Sequence, residues 1–179
     1  MKPIMQKVVE FKHWQIFAII LLPMLNPGTN SIFDGILLLF SFLFFVFWIL
    51  SVGLVLNDSL PNSKKANPNY FLFSAGFIIF YFVFILFLGG GAYIINNHNS
   101  EEFDFWPWLI IPLHLYTMWS MFYMFFYSAK AISKLNIVVG EKKESTTAAY
   151  FFGFWFYLIG IWIIQPKVQE LLNRRNDGL

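Results

Sequence analysis

The stretch Trp106–Tyr127 holds no Asp, Glu, Lys or Arg. As a helix its 22 residues rise about 33 Å, enough to cross a hydrocarbon core of about 30 Å. Near its middle lies His114, the one ionisable group set deep in apolar sequence. This stretch points to a multi-pass membrane protein.

Composition agrees. The chain is 58% hydrophobic, 22% aromatic and 12% charged, and a soluble surface needs roughly twice that charge. Its 179 residues suit one helical bundle, a single membrane domain over residues 1–179. With no Cys, disulfides, thiolate metal sites and cysteine nucleophiles are excluded. The net charge of +2 is spread between apolar runs, so no direct nucleic-acid partner is expected.

Five apolar runs follow one another. The first, Trp14–Leu25, has a basic leader with Lys2, Lys7 and Lys12. Asn26-Pro27-Gly28 follows it in place of a small-residue cleavage site, which implies an uncleaved helix. Extended back to Val8, it covers about 8–25, with Glu10, Lys12 and His13 snorkelling at the interface and Pro23 bending it. The second span covers 35–56, after Asp34 at its N-terminus. Asn57–Asn69 is a loop. The third span covers 70–92, although Gly89-Gly90-Gly91 weakens its end by roughly 1 kcal/mol per glycine. The fourth covers 106–130, where Trp106-Pro107-Trp108 marks the interface. The fifth, 148–164, is stopped by Gln165-Pro166, and a short amphipathic tail covers 167–179.

Lys and Arg set the orientation. The N-terminus, second loop and fourth loop carry nine, and the first and third loops none. That places the N-terminus in the cytoplasm. The last three, Lys167, Arg174 and Arg175, fall outside if the fifth run spans and inside if it re-enters. Seventeen residues lie near the lower limit for a span, but the run is very apolar, and the expectation leans to a span. The fold class expected is all-α, an integral membrane bundle of four or five transmembrane helices.

Small and polar residues mark the packing. Ala149, Gly153 and Gly160 share one face, as in close helix approach. His114, Thr117, Ser120, Met121, Met124 and Ser128 fall within a third of the fourth helix's circumference, and this face is expected inward. An intramembrane ionisable residue is a functional candidate, and His114 follows Pro112, which leaves the Trp108 carbonyl without its helical partner. His114, Thr117, Ser120 and Ser128 are therefore channel-lining or polar packing candidates. The plainer alternative is a neutral His114 bonded to Ser41, Ser51 or Tyr81. His98, Glu101, Glu102 and Asp104 read as a solvated acidic loop, and no metal or cofactor is expected. No span holds Asp or Glu, and no nucleophile, zinc or phosphate-binding motif occurs, so no enzyme is expected.

The segment from Phe122-Tyr123 through Ser128-Ala129-Lys130 to Gly160-Ile161-Trp162-Ile163-Ile164-Gln165-Pro166-Lys167 resembles a group of small, uncharacterised multi-pass bacterial inner-membrane proteins. They share a Gly-Ile-Trp-x-x-Gln-Pro run and often a Lys-x-Trp before the first helix, here Lys12-His13-Trp14. The resemblance covers about a third of the chain and implies location without an activity. More loosely, size and helix count look like the membrane accessory proteins of type VI-B CRISPR and other antiphage systems. The expected function is an oligomeric membrane interaction or effector module that could permeabilise the membrane. The alternative is a small-solute channel or facilitator with His114 on its path. Expected partners are membrane lipids and either further copies or a partner membrane protein, in the bacterial inner membrane.

Overall fold

Two long apolar helices form the spine of the molecule. The computed structural model describes residues 2–21, 25, 32–95, 106–140 and 146–177. Among these are seven α-helices: α1 (Lys2–Glu10), α2 (His13–Leu21), α3 (Ile32–Asp58), α4 (Asn69–Ile95), α5 (Trp106–Val138), α6 (Thr147–Trp155) and α7 (Tyr157–Asp177). Two segments, Gly35–Asp58 and Asn69–Phe87, are long and apolar enough to cross a membrane. The charge-free part of α5 is diluted by Trp, Tyr, Pro and His, which are less apolar than the aliphatic residues that fill α3 and α4. Residues 35–56 lie inside α3 and 70–92 inside α4, which continues through the three glycines to Ile95. The backbone hydrogen bonds of an established helix outweigh the modest cost of glycine there.

The fourth helix is longer than expected. Beyond residue 130 it stays packed, with Ala131, Ile132 and Leu135 buried, and does not stand out into solvent. It ends at Val138, and Gly140 just beyond it has a φ of +82°, the left-handed conformation of a C-terminal cap that glycine adopts without cost. The second loop is pinned by Asn57. Its Nδ2 donates to the Ala66 carbonyl (3.0 Å) and its Oδ1 accepts from the Ala66 N–H (2.8 Å).

The first run is not one helix over 8–25. It breaks at Phe11-Lys12, between α1 and α2. Glu10 and Lys12 flank the break and do not snorkel from a continuous helix. α1 is amphipathic, with Met5, Val8 and Val9 buried and Gln6, Lys7 and Glu10 exposed. Pro23 and Asp34 fall outside the described side chains.

The fifth run also differs from its expectation. It folds at Phe156 (φ −91°, ψ 53°) into two helices packed against each other. Gln165-Pro166 does not stop it, because α7 runs through Pro166 to Asp177, so residues 167–177 continue the same helix. Pro166 lacks one N–H, and the rest of the hydrogen-bond ladder holds. Side-chain pairs track the path. Thr147 Oγ1 donates to Ser133 Oγ (3.1 Å), and Trp155 stacks on Phe122 (4.6 Å). Past the fold, Tyr157 meets Phe45 (4.8 Å), Trp48 bonds to Gln165 (2.9 Å), and Arg175 Nε donates to the Ser59 carbonyl (3.0 Å). Thus α6 climbs antiparallel to α5 and α7 descends parallel to α3. The nine residues of α6 rise only about 14 Å, so the hairpin enters and leaves at the same end of the bundle.

Candidate functional site: the His114 face and the glutamine clasp

The hairpin's limited height decides which part of α5 is covered. Below Phe122, α6 packs on α5, and Met124 and Ser128 are fully buried. Above it, α5 keeps α4 as its neighbour and turns a broad face outward. Trp108 (78% exposed), Ile111, Leu115, Met118 and Trp119 lie on that face, with Pro112 and His114 among them.

The face expected inward is therefore split. Ser120 is fully buried. Ser128 Oγ donates to the Ile49 carbonyl on α3 (3.2 Å). Thr117 is half-buried and bonds back to the Leu113 carbonyl of its own helix (2.8 Å), as helical threonines commonly do. His114 is exposed. Its Nδ1 lies 2.9 Å from the Tyr81 hydroxyl of α4, a partner the plainer reading names. Its Nε2 has no hydrogen-bond partner among the described residues. Below this pair the α4–α5 seam is aromatic. Phe77 meets Tyr116 edge-on (4.6 Å), Tyr70 and Tyr116 bring their hydroxyls to 3.4 Å, and Phe71 stacks on Tyr127 (4.2 Å).

The small-residue face works inside the hairpin. A Cβ added to Gly160 would land on the Gly153 carbonyl, and one added to Gly153 would meet the Ile164 side chain at 3.0 Å. Gly153 and Gly160 thus pack against each other across the fold at Phe156, while Ala149 is exposed.

A second polar cluster was not legible as a site. Gln165 is fully buried. Its Oε1 accepts from Trp48 Nε1 (2.9 Å), and its Nε2 donates to the carbonyls of Val9 (2.6 Å) and Phe11 (2.8 Å). One turn on, Gln169 Nε2 donates to the carbonyls of Val9, Glu10 and Phe11 at 3.1, 3.0 and 2.9 Å. The last carbonyls of a helix lack intrahelical partners, and here two amides of α7 supply them for α1. Trp162 packs on His13 (4.5 Å) and Phe17 (5.7 Å). The Lys12-His13-Trp14 and Gly160–Pro166 runs therefore meet, and the second clasps the first. The available signal was an amide set directly behind a long apolar run, where it needs partners.

The ends of the chain gather with the second loop. A polar cleft of about 540 Å³ opens among Gln6, Glu10, Lys12, Ser59, Gln169 and Asn173, and Lys134 Nζ donates to the Lys64 carbonyl nearby in the fold (2.8 Å). Among the described residues no group of three or more His, Cys, Asp or Glu could hold a metal. His98, Glu101, Glu102 and Asp104 lie outside them. Comparison with protein-family models, curated proteins and solved structures finds no match.

Proposed function

We propose that the chain is a non-enzymatic, multi-pass protein of the bacterial cytoplasmic membrane that works as an oligomeric interaction or effector module. In this reading the first four apolar runs cross the bilayer and the α6–α7 hairpin re-enters from the cytoplasmic side. All twelve Lys and Arg then lie on the cytoplasmic side, which removes the conflict of the C-terminal three with the positive-inside rule. Membrane insertion is supported by the low burial of the candidate spans, 33% and 28%, since a soluble core helix is mostly covered. Exposed Phe80, Phe87 and Ile159 extend the apolar surface beyond what water tolerates.

The observation that carries the oligomeric reading is His114. It stands about 12 Å along α5 from Trp106, on an exposed apolar face with one ring nitrogen unpartnered among the described residues. A polar group facing hydrocarbon is costly, and polar side chains in membranes are met by other helices. The bare half of α5 is the surface on which another copy, or a partner membrane protein, supplies that contact. The exposed position also favours the channel alternative in one form only, a solute path between subunits past His114.

The natural absence of Cys makes the test direct. Leu115→Cys should give disulfide-linked dimers on oxidation of membranes, far above Phe87→Cys on α4, and His114→Ala should lower the yield. Equal, low yields at both positions refute assembly of copies through this face.

A further inference from the structure

The half-height hairpin leaves a second space in the bundle. Above its tip, between α2, α3 and α4, lies a cavity of about 210 Å³. Tyr157, the first residue after the fold, forms its floor, and Leu38, Phe42 and Phe45 of α3 form one wall. Ile20 and Phe82 close the other sides, with Phe82 stacked on Phe42 at 3.9 Å. Of the two lining residues that carry a hydroxyl, Ser41 is spent on the Ile20 carbonyl (2.6 Å), and Tyr157 sets its ring against Phe45 (4.8 Å). The surface that the lining presents to the cavity is almost wholly apolar. Leu38 stands at the mouth, 43% exposed.

We propose that this cavity is a binding site for one acyl chain of a phospholipid. The proposal rests on the membrane reading above. The occupant follows from the surroundings. Most of the lining, Leu38 at the mouth included, belongs to α3 and α4, the two helices apolar enough to cross a membrane, so in the membrane reading the mouth opens onto lipid tails. At about 30 Å³ per water-sized group, the space takes roughly seven methylene-sized groups of one chain and has no room for a headgroup. Membrane interiors do not leave such a volume empty, because its lining would lose its contacts outright. The lipid tail is thus the part that completes the upper half of the bundle where the hairpin stops.

The test uses the full chain, purified in mild detergent and, separately, inserted into phosphatidylethanolamine–phosphatidylglycerol vesicles containing a phospholipid with an acyl-chain diazirine. Leu38→Trp plugs the mouth, while Phe40→Trp, on an exposed face of the same helix outside the lining, is the control. Native mass spectrometry should show one retained phospholipid per chain for the unmodified protein and for Phe40→Trp. Retention should fall about tenfold in Leu38→Trp, as loss of burial for roughly two methylenes predicts. Photo-crosslinks should concentrate on residues 38–45 and Tyr157. Equal retention in the two variants, or crosslinks spread evenly over the exposed apolar surface, overturns the proposal. Alkaline carbonate extraction separates the two readings. A chain released from the membrane refutes insertion itself, and an inserted chain without retained lipid refutes only the acyl-chain site.

Discussion

Replacing Gln165 with Leu should be among the most damaging changes that leave side-chain size nearly unchanged. Three hydrogen bonds are lost, and they are unequal. The Trp48 indole N–H is fully buried and has Gln165 Oε1 as its acceptor, so it is orphaned at about 1–3 kcal/mol. The Val9 and Phe11 carbonyls keep Gln169 and lose only part of their satisfaction, together about 1 kcal/mol. The total is about 2–4 kcal/mol. Gln169→Leu is the internal comparison. Val9 and Phe11 then keep Gln165, and the Glu10 carbonyl belongs to an exposed residue that water can reach, so the loss is about 1 kcal/mol or less. The assay is SDS-induced unfolding in mixed micelles, followed by tryptophan fluorescence. Trp48→Phe combined with Gln165→Leu removes donor and acceptor together, and the double variant should be less damaged than the sum of the singles by about 1–2 kcal/mol. Gln165→Leu costing no more than Gln169→Leu, or strict additivity with Trp48→Phe, would refute the clasp.

The two glycines of the hairpin should respond differently despite sharing one face. Gly160→Ala drives a Cβ into the Gly153 backbone and should prevent the fold at Phe156, read as loss of stable protein. Gly153→Ala meets only the end of the Ile164 side chain and should stay within about 1 kcal/mol of the parent by the same unfolding assay. Asn57→Ala removes both bonds to Ala66 and should cost about 1–3 kcal/mol, with faster proteolysis in the 59–68 loop as a second readout.

Helix content was legible because long apolar runs admit few alternatives, and α3, α4 and the first part of α5 fall where hydropathy puts them. The breaks were not legible, for a physical reason. At Phe11-Lys12 the chain stops being helical because its carbonyls are met by amides 154 to 160 residues away, a pairing no local pattern encodes. Glu10, Lys12 and His13 read as snorkelling residues for the same reason. Gln165-Pro166 has the local chemistry of a helix stop, and tertiary contacts to Trp48 and α1 carry the helix through it. The small face of Gly153 and Gly160 was visible in the sequence, but a spacing of seven says only that two residues face alike, not that the chain folds back to bring them together. His114 stood out as the deep ionisable group. Its outward placement depends on where the hairpin ends, which tertiary packing such as Trp155 on Phe122 and Tyr157 on Phe45 fixes.

The half-height α6–α7 hairpin underlies both the bare face of α5 and the proposed acyl-chain site, and the sidedness of the C-terminus tests its proposed re-entry most directly. In the Cys-free chain, single cysteines at Asn67, Asn97 and Asn176 can be probed in intact spheroplasts with a membrane-impermeant maleimide. Labelling of Asn97→Cys alone, with Asn67→Cys and Asn176→Cys reacting only after permeabilisation, is the predicted result. Labelling of Asn176→Cys from outside would mean that the fifth run crosses the membrane, and would contradict the account.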